Sequence, residues 1–578
     1  MEVLVLGVGL LLATVVVVAI GERVGLPWPV LLVLLTAGII FIPGLPDIRI
    51  PASIMVPLFL PPLLWAMARR TSWSVIRGQK STILSLSVLL VFASIAAGAV
   101  TAGMLMPGLS VAGAIVLASA LAPPDPVAVD AVAEPAGVPR RLIKTLQTEG
   151  LFNDAAAIVA FDLGLRMLVA GDKVTFLEGF LAFLYSAIAA VAIGLVVGFG
   201  SARMLDWIQS PVTRNAFSWV IPFAVYLIAE EVHASGVIAI VIAAVEMHSR
   251  AKVGAEDRLT GHAFWETVEM LFTGVAFGLI GLSARRAIEE VGSGLWHGIY
   301  VGAVLSVVLV LVRGLWMYGV YRMNKRRGKT RGAPLRLQEV LLLTWSGMRG
   351  MVTLALVLSI PRGYVSWRHE MTIIALTVLT LTMVVPGLLL PKLMQWLDLE
   401  NGPDPFGDKA REALLLRARE ASTAVIHRRA EGLPPNMLSS IQHWIAEETG
   451  TEDLDEADCP EHADGTHAVT RADSTAGPAP VSPATAFAAA VSPGLVGAPV
   501  GPGRAAAGTG AGKQGEKPKS RQEKLREIRA RANQVRIEAL EAAQREVVVA
   551  RREPGVDPAI ADEVLHDIDR MILAARRA

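Results

Sequence analysis

Long apolar stretches separated by short polar joins occupy the first two-thirds of the chain. A bilayer crossing needs about 20 mostly apolar residues. That window yields about thirteen candidate spans: 3–20, 27–44, 52–69, 82–106, 110–132, 142–169, 176–205, 215–231, 235–249, 262–282, 291–322, 337–360 and 371–398. The pieces 215–231 and 235–249 are short and joined by a polar knot, so they read as two spans or as one. Beyond residue 400 the pattern changes. Residues 401–450 are polar with helical spacing at Ala413, Leu414, Leu416, Ala418 and Ala421. Residues 451–518 are rich in Ala, Gly, Pro, Ser and Thr, a composition with too little apolar area to fold. Within 519–578, an amphipathic helix carries Leu525, Ile528, Ala532, Val535 and Ala539 on one stripe, and a second helix follows over 560–575. The expected organisation is an all-α polytopic membrane domain over 1–400, a helical cytosolic segment over 401–450, a disordered linker over 451–518 and a helical tail over 519–578.

Composition agrees with that class. The 578 residues are 53% hydrophobic and 18% charged, with a mean hydropathy of +0.51. A net charge of +1 says nothing about partners, because the charges are unevenly placed. No nucleic-acid partner is expected of this membrane class, and the single cysteine, Cys459, excludes a disulfide framework or a multi-cysteine metal site. The apolar run from Leu4 has no basic leader or small-residue cleavage site, so it reads as a retained span. Charge in the joins orients the chain. Arg69, Arg70, Arg77 and Lys80 lie on one side with Arg140, Arg141 and Lys144, then Arg203 and Arg214, then Arg250, Lys252 and Arg258. The last join on that side holds seven Lys or Arg between 322 and 336. The opposite joins hold two at most, so the N-terminus is expected outside and the tail in the cytoplasm of a bacterial inner membrane. Trp207, Trp265 and Trp296 lie near predicted span ends, where interfacial anchors occur.

Two spans carry helix-breaking chemistry. The fifth reads ALAPPDPVAV, with Pro123, Pro124 and Pro126 around Asp125, and no unbroken helix accommodates those prolines. The twelfth reads WSGMRGMVT, with Gly347 and Gly350 flanking Arg349. If spans one to six repeat as eight to thirteen around a linking seventh, the breaks are equivalent, and the odd offset inverts one half. Paired interruptions in inverted halves point to the midplane site of a secondary transporter. Between them in sequence lies EGLFNDAAAIVAF, which places Glu149, Asn153 and Asp154 in an apolar span. A carboxylate at that depth costs about 2.5–3.5 kcal/mol on insertion scales. Glu149 needs a partner, and Arg349 across the repeat is the candidate for a structural ion pair. Asp154 would then remain to hold either a proton or a small hard cation, and competition at one carboxylate couples opposite fluxes.

These strings, with VHASGVIAIV and WSGMRGMVTLALVLSIP in the same order, resemble the monovalent cation:proton antiporter-1 family, the bacterial and animal sodium/proton exchangers, over roughly residues 5–400. The resemblance implies two inverted repeats with crossing broken helices, and homodimers in which a six-helix core bundle moves against a dimer-interface bundle. It implies that Asp154 binds the ion, Na+ or H+, and that Asn153 precedes it as in electroneutral members exchanging one cation for one proton. It also matches Glu149 and Arg349 to a buried salt bridge and Asp125 to the extended crossing segment. No cofactor is implied. Many relatives have Thr at the position of Pro124 and Ser at that of Gly150, so the coordinating shell, and the choice of Na+ over K+ or Li+, stays open.

Arg313, deep in span eleven, is an accessory candidate that snorkels or pairs with an acid. His233, beside Glu230 and Glu231, is a pH-sensor candidate or a member of an external surface cluster. Glu266 and Glu269 either draw cations into a cytoplasmic funnel or face solvent. The competing functions are a potassium/proton or broadly selective exchanger, and, in another class, a cation channel or a membrane sensor acting through the tail. No filter-like run supports a channel, and no nucleophile–base pair supports an enzyme. The tail is expected to be a solvated regulatory or dimer-contact appendage, and any regulator it binds is not legible.

Overall fold

In the computed structural model, the described residues are 2–38, 52–125, 138–170, 176–251, 254–328, 333–361, 367–397, 405–429, 521–551 and 558–577, with a few isolated ones between. All thirteen apolar segments contain helix, and no strand occurs among the described residues. Helices α1 (Glu2–Val24), α2 (Trp28–Gly38) and α3 (Ala52–Ala68) open the chain, followed by the short α4 (Trp73–Gly78) and the long α5 (Lys80–Leu105). The fifth segment is α6 (Val111–Leu121), and the sixth is split into α7 (Arg140–Gly150) and α8 (Asn153–Ala170). Next come α9 (Phe176–Trp207), α10 (Pro211–Glu231), α11 (Gly236–Arg250), α12 (Ala255–Val291) and α13 (Leu295–Arg326). The twelfth segment is the pair α14 (Leu337–Trp345) and α15 (Met351–Ser359), and the thirteenth is α16 (Arg368–Leu397).

Local chemistry explains several boundaries. Ser110 caps α6 by accepting from Gly113 N at 3.1 Å, and Ser235 caps α11 by accepting from Ile238 N at 3.4 Å. The short pieces 215–231 and 235–249 are two helices, because the turn between them places His233 at φ +56°. Among the described residues, seven helices are long and apolar enough to span a bilayer unaided, while the broken and short ones rely on protein neighbours.

The packing forms two bundles. One gathers α1, α2, α3, α10, α11 and α12, with α9 laid along α11. Gly194 and Gly198 let α9 approach closely, since a Cβ at either would lie 2.7 Å from the carbonyl oxygen of Ala239 or Ala243. The other bundle gathers α5, α6, α8, α13 and α16 around the broken pieces. Contacts of α15 with α3 and of α16 with α12 join the two bundles.

The tail helices α17 (Pro405–Arg429), α18 (Arg521–Ala550) and α19 (Pro558–Arg577) share an apolar core that includes Ala532, Val535 and Ala539 of the predicted stripe. That core also takes in Ala255 of α12, so these helices dock on the membrane domain. Arg258 of α12 grips the buried Asp569 with two hydrogen bonds, at 2.6 and 2.7 Å. The expected disordered linker, 451–518, lies outside the described residues.

Candidate functional site

The two breaks meet. After α6 ends at Leu121, the chain leaves the helix through a bend at Ala122 and Pro123 and reaches Asp125, whose N–H donates to Met348 O at 2.6 Å in the opposing break. Asp125 Oδ2 in return accepts from Met351 N at 3.3 Å, capping α15 from another part of the chain. Gly350 makes this contact sterically feasible, because a Cβ there would lie 1.5 Å from Asp125 Oδ2. Gly347 serves the same end on its other side, where a Cβ would lie 2.5 Å from Arg313 Cδ. Pro123 and Pro124 lie in this non-helical break, and Pro126 is outside the described residues.

The sixth segment departs from the single helix expected of it. It breaks at Leu151–Phe152, so Asn153 and Asp154 open a new helix. Asn153, fully buried, donates through Nδ2 to Pro124 O at 2.5 Å and accepts from Asp154 N at 2.7 Å. It thereby ties the start of α8 to the proline break. Asp154 lies in the first turn of α8, and Met351 and Val352 form the first turn of α15. Two half-helix N-termini, with their partial positive charge, thus converge on one region.

Asp154 and Asp125 line a single small cavity there, partly open to the exterior. Its walls include Leu60 and Leu64 of α3, and Thr273 and Phe277 of α12. The cavity therefore lies between the bundles. Carboxylate oxygens are hard ligands suited to small hard cations or to protons. Two carboxylates that share a cavity gain when either species binds, because it offsets their like charge.

The expected ion pair of Glu149 with Arg349 is corrected by the structure. Glu149 is held by Arg313 of α13: Nη2 reaches Oε2 at 2.9 Å, and Nη1 donates to Oε1. Arg313 also donates from Nε to Leu343 O at 2.8 Å. Arg349 instead donates to backbone carbonyls, those of Gly347, Leu121 (3.3 Å) and Ala122 (3.4 Å). The physical reason is that broken helices leave carbonyls without intrahelical donors. A guanidinium with five N–H groups answers several of them at once. The break that separates Glu149 from Asn153 is covered likewise, by Ser87 donating to Glu149 O at 2.7 Å.

The remaining candidates lie away from the cavity. Glu269 pairs with Arg70 at 3.0 Å, and Glu266 with His262 at 3.2 Å. His233 is exposed in its turn. Trp207 and Trp296 are exposed at 78% and 77%, as anchors are, but Trp265 is 2% exposed, packed against Trp219 and Phe264 and donating to Ser218 Oγ. Thr273 was not legible in the sequence as a lining residue, because nothing in its local pattern separates it from other helical threonines.

Half-helices from two breaks, crossing beside the carboxylates of Asp154 and Asp125, are the arrangement of a secondary transporter of small cations. The family model described as "Sodium/hydrogen exchanger, transmembrane" matches residues 10–396, and the chain belongs to that family. It is a multi-pass membrane protein that exchanges cations for protons, and not an enzyme. It is 29% identical over 437 residues to the uncharacterized Na(+)/H(+) exchanger Rv2287 of Mycobacterium tuberculosis, covering 73% of this chain and 79% of that one. It is also 29% identical over 407 residues to the Na(+)/H(+) antiporter NhaH of Halobacillus dabanensis, covering 67% and 96%. Among solved structures, the sodium proton antiporter MjNhaP1 of Methanocaldococcus jannaschii superposes with a TM-score of 0.52 at 17% identity, over 70% of this chain and 100% of that one. At that identity the likeness speaks for the fold.

Proposed function

We propose that this protein is an electroneutral sodium/proton antiporter that exchanges one Na+ for one H+ by alternating access, with Asp154 as the group that carries either ion. The observation that carries the reading is the shared cavity of Asp154 and Asp125 between the two bundles. Asp125 positions the break and contributes oxygen beside the ion, while Asn153 supplies a neutral anchor where a second aspartate would add a charge. Glu149 and Arg313 stand apart as a structural pair. The names of NhaH and MjNhaP1 agree with sodium as the cation. In this reading the protein works as a homodimer in a bacterial cell membrane, with its N-terminus outside and its tail helices inside.

The absence of hydroxyls at Pro124 and Gly150 keeps a potassium/proton or broadly selective exchanger as the second reading. Proteoliposomes with an internal pH dye test both. An outward-to-inward Na+ gradient should drive proton efflux at the same rate with the membrane potential clamped to zero or left free. Asp154→Ala should reduce the signal to background. Persistence of exchange in that variant rejects the assignment, and equal responses to Na+, K+ and Li+ favour the second reading.

A further inference from the structure

Most hydroxyls in these helices are satisfied in one way. Among the described residues Ser119, Ser346 and Thr273 leave a buried hydroxyl without a partner, and of these three Thr273 alone lines the cavity. On α12, Thr260 donates to Glu256 O, Thr267 to Ala263 O and Ser283 to Leu279 O, each back-bonding to its own helix four residues earlier. Thr14, Thr36, Thr344 and Thr377 do the same elsewhere. Back-bonding is the ordinary way for a hydroxyl to be satisfied in a membrane helix. Thr273 is 2% exposed, yet its Oγ1 has no hydrogen-bond partner among the described residues. An unpaired buried hydroxyl is a cost that persists only where something else answers it. Thr273 lines the cavity that holds Asp154 and Asp125. Ala276 and Phe277, on the same face of α12, line it as well.

We propose that Thr273 is a cation ligand of the Asp154 site, supplied by α12 from the bundle opposite the carboxylates, and that it sets the preference for Na+ over K+. Its oxygen offers lone pairs to a hard cation. It stands in for the hydroxyls absent at Pro124 and Gly150, from the other wall of the cavity. A ligand on the opposite bundle completes the shell only while the two bundles are apposed, so cation affinity becomes coupled to the conformation of the transporter. This inference rests on the reading that Asp154 binds the cation.

The test is isothermal titration of the full-length purified protein with NaCl, LiCl and KCl at constant ionic strength. It compares the wild type with Thr273→Val, Thr273→Ser, Thr273→Ala and Asp154→Asn, with thermal melting as the control for folding. Thr273→Val, which keeps the shape and loses the hydroxyl, should weaken Na+ binding about tenfold and narrow the Na+ to K+ ratio. Thr273→Ser should stay within about twofold of the wild type, since a charge-assisted contact survives the loss of a methyl group. Thr273→Ala should match Thr273→Val, and it replaces that variant if the valine protein fails to fold. Wild-type affinity in both hydroxyl-free variants overturns the inference, as does equal weakening in the serine and hydroxyl-free variants, which would indicate packing. Uniform weakening for all three ions overturns the claim on selectivity. If Asp154→Asn binds Na+ as the wild type does, the assignment of the site itself falls, whatever the Thr273 variants show.

Discussion

Glu149 and Asp154 lie in one apolar stretch, separated by a one-turn break, and the fold treats them in opposite ways. Glu149 is held at both oxygens by Arg313, with its backbone carbonyl taken by Ser87. Asp154 opens a helix and faces a cavity shared with a second carboxylate. A buried carboxylate with complete partners is fixed in one state. In the proposed reading, one facing a cavity beside a like charge is the group that exchanges what it binds. The difference shows that depth in the membrane does not by itself make a carboxylate functional; the donors around it decide.

The sharpest way to break that contrast is to neutralise Glu149. Glu149→Gln strands the Arg313 guanidinium, which should cost about 3–5 kcal/mol and lower the melting temperature in detergent. Replacing both partners, with Glu149→Leu and Arg313→Met, should recover much of that loss, because the desolvation of two charges disappears. If Glu149→Gln melts like the wild type but no longer exchanges ions, Glu149 belongs with Asp154 and the contrast fails. Asp154→Asn should do the reverse, keeping the melting temperature while exchange drops to background.

Gly350→Ala tests whether the crossing positions Asp125. Its new methyl group would occupy the place of Asp125 Oδ2, so exchange should fall steeply with a stability loss of about 1–3 kcal/mol. Wild-type transport in that variant would mean Asp125 can leave the crossing without consequence. Asp569 offers a third kind of carboxylate, buried and gripped by Arg258 outside the spans. Asp569→Asn should loosen α19 from α12 by about 1–3 kcal/mol, seen as faster limited proteolysis of the tail. Unchanged cleavage would show that the apolar core alone holds the tail.

The smallest effect is graded with pH. If a proton and Na+ compete at Asp154, the apparent KM for Na+ should rise as pH falls, approaching about tenfold per unit where the protonated form dominates. The sign follows from the carboxylate being the cation ligand, since protonation removes the charge that Na+ needs. A pH-independent KM would place the two ions at different groups and dissolve the role given to Asp154.

Much of this arrangement was legible along the chain. The thirteen apolar segments all contain helix, and the prolines around Asp125 and the glycines around Arg349 do mark two interruptions that meet. Those features are local: apolar run length, missing backbone donors and missing side chains act on their own neighbourhood. The split between Gly150 and Asn153 was not legible, because Leu151 and Phe152 are ordinary helix residues. Just past it Asn153 bonds to Pro124, a contact with a segment 29 residues away that no local pattern announces. The partner of Glu149 was misassigned for a related reason. Arg349 lies in a conspicuous motif, whereas Arg313 sits in a plain apolar span, and carbonyls freed by the breaks claim Arg349 first.

By itself, then, the sequence determined how many apolar segments there are, where the helices must fail and which carboxylates sit in the wrong solvent. Hydrophobic length and backbone hydrogen-bonding capacity are properties of short stretches. Only the tertiary structure decided which charges pair, that Trp265 is core and not an anchor, that the tail helices dock on α12, and that Thr273 faces the cavity of Asp154. Those outcomes depend on donors and acceptors brought together from distant positions, where the satisfaction of each buried polar group is settled among all its neighbours at once.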